Sequence, residues 1–139
     1  MKLYVNSLHT MPNALARIVM EMTGQQAEVV VADEEFRKTP GYKALTTTDK
    51  FPLLQTAEGN LHESSAIAKY FCTLAGGKFL GTSPVERAQV DQWIAFCNTS
   101  IYPNFWTVCC GIFGWAEVTQ AEFNESAKQL KAHCKTLNT

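Results

Sequence analysis

The residues best placed to do chemistry are an acidic and a hydroxyl residue at the start of a predicted helix. Glu63 and Ser64 precede the pattern S-A-I-A-K-Y-F, where the first turn exposes unpaired N–H groups and the positive end of the helix dipole. Such a helix start can bind the carboxylate of a small anionic ligand. Ser64 has an equally good structural use, since serine caps helices in proteins of every kind. The sequence leaves both uses open.

A proline-led strand lies just upstream of that helix. The run K-F-P-L-L-Q places Lys50 and Phe51 before Pro52, and a strand tolerates proline at its first position. The turn residues A-E-G-N (57–60) favour an antiparallel hairpin into a second short strand. The hairpin therefore leads the chain from the proline directly to the helix start.

Cysteine and histidine are the other residue types with chemical potential. The five cysteines are odd in number and scattered, which favours reduced thiols over a disulfide framework. Cys109 and Cys110 are adjacent, but His62 and His133 have no ligand-like spacing to them, so we predict no metal site. No Cys-x-x-Cys follows the first strand, which argues against dithiol chemistry. Burial in helices is the default interpretation of these cysteines.

Short segments with regular apolar spacing must position these residues. The predicted strands are 2–6, 27–31, 52–56 and 60–62, and the predicted helices run from Pro12 to Gly24, through T-P-G-Y-K-A-L and over 64–75. The first strand–helix–strand unit requires a right-handed crossover between parallel strands. Residues 1–80 therefore predict an α/β domain in the thioredoxin-like order βαβαββα.

Residues 83–139 predict a separate all-α region of about two long helices. The first begins at Ser83-Pro84-Val85-Glu86, a capping box with proline at the first helical position. Pro103 should kink or break this helix. A second capping box, T-Q-A-E from Thr119, opens the last helix. The aromatic-rich segment 102–115 between them is either helix core or an exposed patch that binds another protein.

The charge balance excludes two classes of function. Twelve Lys and Arg against thirteen Asp and Glu give a net charge of −1, and no basic block offers a footprint on nucleic acid or an anionic membrane. No apolar run reaches membrane-spanning length, and the N-terminus M-K-L-Y-V-N-S is too polar for a signal peptide. We therefore expect a cytoplasmic protein that binds neither nucleic acid nor membrane.

Several motifs carry a family resemblance that covers essentially the whole chain. The segment from the proline strand to Tyr70 is similar to the V-P-x-L, turn, E-S-x-A-I-x-x-Y order of glutathione transferases. K-T-P-G-Y resembles R-T-P-E-F, and S-P-V-E-R-A-Q-V-D-Q-W-I-A-F resembles T-P-E-x-A-A-Q-V-x-Q-W-x-x-F, in the transferase-like domain of elongation factor 1B gamma subunits. The chain thus resembles the glutathione transferase superfamily and, within it, these translation-factor domains. Similar domains occur in aminoacyl-tRNA synthetases and their scaffolds.

The resemblance implies a site for glutathione. In the family, the residue before a cis-proline binds the cysteinyl unit of glutathione through its backbone, which assigns this role to Phe51, with Lys50 and Pro52 beside it. Glu63 and Ser64 would bind the γ-glutamyl carboxylate and amine. Glutathione is a possible ligand, and no cofactor is required. The cis-proline is a property of the fold that non-catalytic relatives keep.

The catalytic position is where the chain departs from the family. Transferases place a Tyr, Ser or Cys after the first strand, where its OH or SH stabilises the glutathione thiolate. The corresponding loop here, N-S-L-H-T-M-P-N, offers His9 or Thr10. Either can donate a hydrogen bond, but neither is the family's usual residue. Thr10 is equally suited to capping the helix that begins at Pro12.

Two functions from different classes follow. A full transferase helical domain has five or more helices, so we expect that the helical region here is cut from a longer one or is completed by a partner. This favours a non-catalytic interaction scaffold of translation elongation; the alternative is a transferase that conjugates glutathione to electrophiles. The expected partner is a second copy or another transferase-like translation protein, bound through the helix over 64–75, the helix after Ser83 or the aromatic segment.

Overall fold

The computed structural model describes residues 1–7 and 10–138 and divides the chain into two units, Met1–Pro84 and Val85–Thr139. In the first, the sheet unit, the strands are β1 (Lys2–Val5), β2 (Glu28–Val31), β3 (Leu53–Gln55) and β4 (Asn60–His62). Its helices are α1 (Met11–Thr23), α2 (Glu34–Lys38), α3 (Pro40–Lys43) and α4 (Ser64–Leu74). The sheet order is β2-β1-β3-β4.

The strand pairing has the predicted thioredoxin-like arrangement. β1 runs parallel to β2 and antiparallel to β3, and β3 forms the hairpin with β4. One prediction was incomplete, because the polar stretch before Thr39 is helix α2, so that two short helices stand where we expected one. The Asp33 side chain explains this: its Oδ1 accepts from the N–H of Phe36 at 2.7 Å and caps α2.

Alternation along the strands gives the sheet unit two buried faces. Leu3 and Val5 point to one side, where α1 and α4 cover them, and Phe71 of α4 is fully buried there. Tyr4 and its cross-strand partner Leu53 point to the other side of the sheet, where they pack with Tyr42 of α3. The sheet unit therefore excludes water with its own side chains on both faces.

The second unit, the helical unit, contains α5 (Pro84–Phe96), a π-helical segment (Cys97–Ile101), α6 (Tyr102–Phe113) and α7 (Gln120–Thr136). The predicted break at Pro103 does not occur, because the chain stays helical from α5 through the π segment into α6. The helix instead widens into the π segment just before the proline, which has no N–H for the preceding turn. The predicted capping box of α7 is confirmed. The Thr119 N–H donates to Glu122 Oε2 at 2.8 Å, and the Glu122 N–H donates to Thr119 Oγ1 at 3.3 Å.

The helical unit buries little. Among residues 85–138, only Cys109 and Cys110 are buried. No helix within the described ranges has both the length and the apolar character to cross a membrane. The same ranges contain no group of three or more His, Cys, Asp or Glu side chains placed to hold a metal ion.

Candidate functional site

The candidate ligand site is built at one end of the β3–β4 hairpin. Leu53 at the start of β3 pairs with His62 at the end of β4. The register therefore brings Pro52 and Glu63, the next residues outward, to the same end of the hairpin. The Phe51–Pro52 bond is cis, as predicted, with Pro52 fully buried and Phe51 half-buried.

Glu63 occupies an unusual backbone conformation at the start of α4. Its φ is 70°, which in a residue other than glycine costs about 1–3 kcal/mol and is concentrated at functional sites. Glu63 is the N-cap residue, since its carbonyl accepts from the N–H of Ile67 at 3.0 Å, and its own side chain makes no capping hydrogen bond. Ser64 is the first helical residue, so it does not have the capping role that the sequence left open. Both side chains are available to a ligand at the positive end of α4.

Thr10 lies at the N-cap of α1 but does not cap it. Its carbonyl accepts from the N–H of Ala14 at 2.9 Å, while its side chain makes no capping hydrogen bond. Its Oγ1 instead accepts from Asn13 Nδ2 at 2.6 Å. A hydroxyl used as an acceptor by the protein keeps its own proton for another group. Thr10 therefore has the hydrogen-bonding capacity to stabilise a thiolate; His9 lies outside the described residues.

Asn13 is the residue that sequence reasoning missed. It is fully buried, and its Nδ2 lies 2.7 Å from Asn6 Oδ1 and 2.7 Å from the Ser7 carbonyl, in addition to Thr10. Its Oδ1 is buried and has no hydrogen-bond partner among the described residues. This one amide thus ties the end of β1 to the start of α1. The available signal was a polar residue in register with Ala16 and Met20 on an inward helix face.

None of the five cysteines belongs to the β3–β4 hairpin, to the first turn of α4 or to the start of α1. All five are free, and Cys109 and Cys110 are buried in α6. Burial in α4 raises the pKa of the Cys72 thiol, which keeps it protonated and unreactive. We therefore assign none of these thiols to the candidate site.

The second candidate functional feature is a group of exposed rings on the helical unit, the aromatic patch (Trp106, Phe113 and Trp115). The ring centroids of Trp106 and Trp115 are 5.6 Å apart, and those of Phe113 and Trp115 are 4.9 Å apart and stacked. These side chains are 46%, 60% and 59% exposed. Contiguous exposed aromatic surface is typical of protein-binding sites.

Comparison with known proteins gives the family of this arrangement. Residues 12–79 match the family "Glutathione S-transferase, N-terminal domain". The chain is 35% identical over 126 residues to elongation factor 1-gamma of Prunus avium, which covers 88% of this chain and 30% of that protein. It is 39% identical over 93 residues to probable elongation factor 1-gamma 1 of Arabidopsis thaliana, and this alignment covers 63% of this chain and 22% of that protein. Glutathione S-transferase GST-4.5 of Xanthomonas campestris is 31% identical over 103 residues, and this alignment covers 70% of this chain and 50% of that protein.

Solved structures agree on the fold. Glutathione transferase F2 of Populus trichocarpa superposes with a TM-score of 0.83 at 20% identity, covering 98% of this chain and 67% of its own. A theta class glutathione S-transferase of Xanthomonas axonopodis with glutathione bound has a TM-score of 0.79 at 22% identity. The superposition covers 93% of this chain and 64% of that chain. The matched N-terminal domain and the relatives above 30% identity place the chain in the glutathione-transferase-like superfamily, and the solved structures show the same fold. Over most of its length it is similar to elongation factor 1-gamma proteins, and it spans less than a third of the first two of them.

Proposed function

We propose that the chain is a protein-interaction module of translation elongation, in which the transferase fold serves as a scaffold and not as a conjugating enzyme. The similarity to elongation factor 1-gamma extends over 88% of the chain and so includes the helical unit. The observation that carries the proposal is the aromatic patch in that unit. The function is assigned to the cytoplasm, where translation elongation takes place.

The aromatic patch has the physical properties of an interface centre. An aromatic side chain buries about 150–250 Å², so three rings that are half exposed leave roughly 300 Å² for a partner. At about 25 cal/mol per Å², covering this surface contributes several kcal/mol. The sequence of α6 contains no charged residue, so no ion has to be desolvated on this helix when a partner binds.

The partner that fits this surface is a second copy of the chain or another transferase-like translation protein. Light scattering at micromolar concentration should give a dimer, or a pull-down should recover such a protein. Phe113→Asp should abolish the association, because it puts a charge in the apolar centre. Phe79→Asp is the matched control, since Phe79 is 50% exposed but belongs to the sheet unit. A monomer with no partner, or equal association in both variants, contradicts the proposal.

A second candidate function, glutathione binding, is favoured by one specific observation: the uncapped start of α4 at Glu63 lies at the same end of the hairpin as the Phe51–Pro52 bond. We propose that reduced glutathione binds the Phe51 backbone, Glu63 and Ser64, with Lys50 and Pro52 adjacent. Titration calorimetry should show severalfold weaker binding for Ser64→Ala, since one anionic contact at a helix start is worth about 0.3–1 kcal/mol. Unchanged affinity in both Glu63→Ala and Ser64→Ala removes these residues from the site.

We propose that catalysis, in contrast, is weak or absent. Thr10 is the only described residue of the predicted catalytic pair, and a threonine hydroxyl held by Asn13 is a modest thiolate donor. Conjugation of a general electrophilic substrate should therefore stay close to the uncatalysed rate. Robust turnover that is lost in Thr10→Ala or His9→Ala would establish the transferase alternative.

A further inference from the structure

One cation holds the end of the loop that leads into β3. Arg37 Nη2 donates to Asp49 Oδ2 at 2.9 Å, and Arg37 Nε faces Asp49 Oδ1 at 3.4 Å. A two-point pair between guanidinium and carboxylate fixes orientation as well as distance. Asp49 itself has a φ of 51°, a left-handed backbone conformation that is uncommon for a residue other than glycine. The contact spans 12 residues, from α2 to a position two residues before Phe51.

The same guanidinium contacts Phe51. Arg37 Cζ lies 5.6 Å from the centroid of the Phe51 ring, within the range of a cation–π interaction. The Phe51 ring also stacks on Tyr42, with centroids 5.6 Å apart. Tyr42 is only 1% exposed and belongs to the core of the sheet unit. Phe51 is therefore fixed by a buried ring and by a cation that is in turn paired to Asp49.

A neighbouring ion pair shows that charge alone does not define this arrangement. Lys38 Nζ and Glu35 Oε1 are 2.8 Å apart, but both side chains are mostly exposed, at 66% and 85%. An exposed pair of that kind contributes little to stability. The Arg37 side chain is only 28% exposed and contacts both Asp49 and the Phe51 ring. Arg37 and Lys38 thus form a natural comparison on one short helix.

We infer that Arg37 is a positioning residue: paired with Asp49 and lying over Phe51, it fixes the backbone of residues 49–51 beside the hairpin end. This inference rests on the proposed glutathione site, in which the Phe51 backbone contacts the ligand. A ligand that hydrogen-bonds to a fixed backbone does not have to order it on binding. Without Arg37, that ordering is required when glutathione binds, which weakens the affinity.

The experiment uses the full chain and two probes. Calorimetry with reduced glutathione measures the affinity, and trypsin cleavage after Lys50, followed by mass spectrometry, measures the opening of the loop. We expect both Arg37→Lys and Arg37→Ala to raise the dissociation constant about tenfold and to speed cleavage at Lys50 by a similar factor. Lysine keeps the charge but lacks the planar fork, so it should not rescue the function. Lys38→Ala, the matched control, should change neither quantity.

A double-mutant cycle distinguishes positioning from a general loss of structure. Asp49→Asn should weaken binding as Arg37→Ala does, and the combined variant should be no worse than either one. The thermal midpoint should stay within a few degrees of the wild type in all of them. Additive losses, rescue by Arg37→Lys, or a fall in affinity that simply follows the thermal midpoint would overturn the inference.

The two proposals fail in different ways. If the wild-type chain does not bind glutathione, the proposed ligand site is wrong, but cleavage at Lys50 still tests the role of Arg37. Faster cleavage in Arg37→Lys and Arg37→Ala, with an unchanged rate in Lys38→Ala, then supports positioning of the loop. An unchanged rate in the Arg37 variants overturns it.

Discussion

The sheet unit and the helical unit differ in how they exclude water. In the sheet unit, both faces of the sheet are covered, and core side chains such as Leu3, Leu54 and Phe71 have no exposed surface. Among residues 85–138, by contrast, burial is limited to Cys109 and Cys110, although the segment contains all three tryptophans. The sheet unit completes its core with its own residues. The helical unit has the composition of a core but leaves much of it exposed.

The reason lies in the sequence of α6. The helix Y-P-N-F-W-T-V-C-C-G-I-F is apolar on most of its circumference, as in a helix that is covered on several sides. Among the described residues, α7 packs against it and places Phe123 close to Gly111, but the rings of the aromatic patch remain about half exposed. The comparison indicates that α6 is suited to the centre of an assembly and not to its surface.

The largest expected effect contrasts one phenylalanine in each unit. Phe71→Ala removes a fully buried ring and should lower the free energy of unfolding by about 3–5 kcal/mol. Phe113→Ala removes a ring that is 60% exposed and should change the stability of the isolated chain by less than about 0.5 kcal/mol. Urea unfolding followed by circular dichroism measures both. Equal losses would show that the helical unit is better covered than its exposed rings indicate.

Cysteine reactivity sharpens the contrast, because each unit carries its own buried thiols. Cys134 is exposed and should react first with iodoacetamide, whereas Cys72 is buried in the sheet unit and should react last. Cys109 and Cys110 are equally buried, but we expect them to react at least about tenfold faster than Cys72, because a poorly covered unit opens more often. Mass spectrometry of a time course gives the order. Protection of all three buried cysteines to the same degree would contradict the difference between the units.

Gly111 tests how tightly the helical unit packs where it does pack. A Cβ at this position would lie 2.7 Å from Cδ2 of Phe123. Gly111→Ala gains about 1 kcal/mol of helix propensity but incurs roughly 1–3 kcal/mol of overpacking, so we expect a net loss of about 1 kcal/mol. Tryptophan fluorescence during urea unfolding reports it, since all three tryptophans lie in this unit.

The matched control removes the ring. In a Phe123→Ala background, Gly111→Ala should stabilise the helical unit, because the propensity gain remains and the clash is gone. If Gly111→Ala is destabilising in both backgrounds, the close contact with Phe123 is not the cause.

What the sequence could and could not predict follows the same division. The hairpin and the Thr119 capping box depend on local chemistry, and the sequence predicted them. The break expected at Pro103 does not occur, because the helix accommodates the proline by widening into a π segment. The positive φ of Glu63 and the three acceptors around Asn13 depend on tertiary geometry, so neither was predictable. Helix α2 was missed because its five residues are too few to show an apolar period, and the side chain that caps it, Asp33, is a single residue. Whether the aromatic patch is core or surface depends on what covers it, which sequence periodicity does not encode.

The smallest expected effect concerns the pH dependence of the helical unit. Hydrogen bonds from the Thr119 side chain and backbone lower the pKa of Glu122 below its ordinary value of 4.5. A carboxyl whose pKa is depressed on folding contributes stability above its unfolded pKa, and that contribution is lost as the pH falls through the folded value. The urea midpoint by tryptophan fluorescence should therefore decrease slightly below about pH 4.5 in the wild type. In Glu122→Gln, the part of this decrease that comes from protonation of Glu122 should be absent.

Glu125 is the necessary control for this pH dependence. The pKa of Glu125 is lowered by a hydrogen bond from Gln129 and by the charge of Lys128, so its protonation changes the stability in the same direction. We call the fall of the urea midpoint below about pH 4.5 the acid limb. If the capping box is responsible, Glu122→Gln makes the acid limb shallower. Glu125→Gln leaves the Thr119 hydrogen bonds intact, so this variant keeps the contribution of Glu122 to the acid limb. An acid limb that is identical in the wild type and Glu122→Gln would place the pH dependence elsewhere, and the start of α7 would then be stabilised by packing on α6 alone.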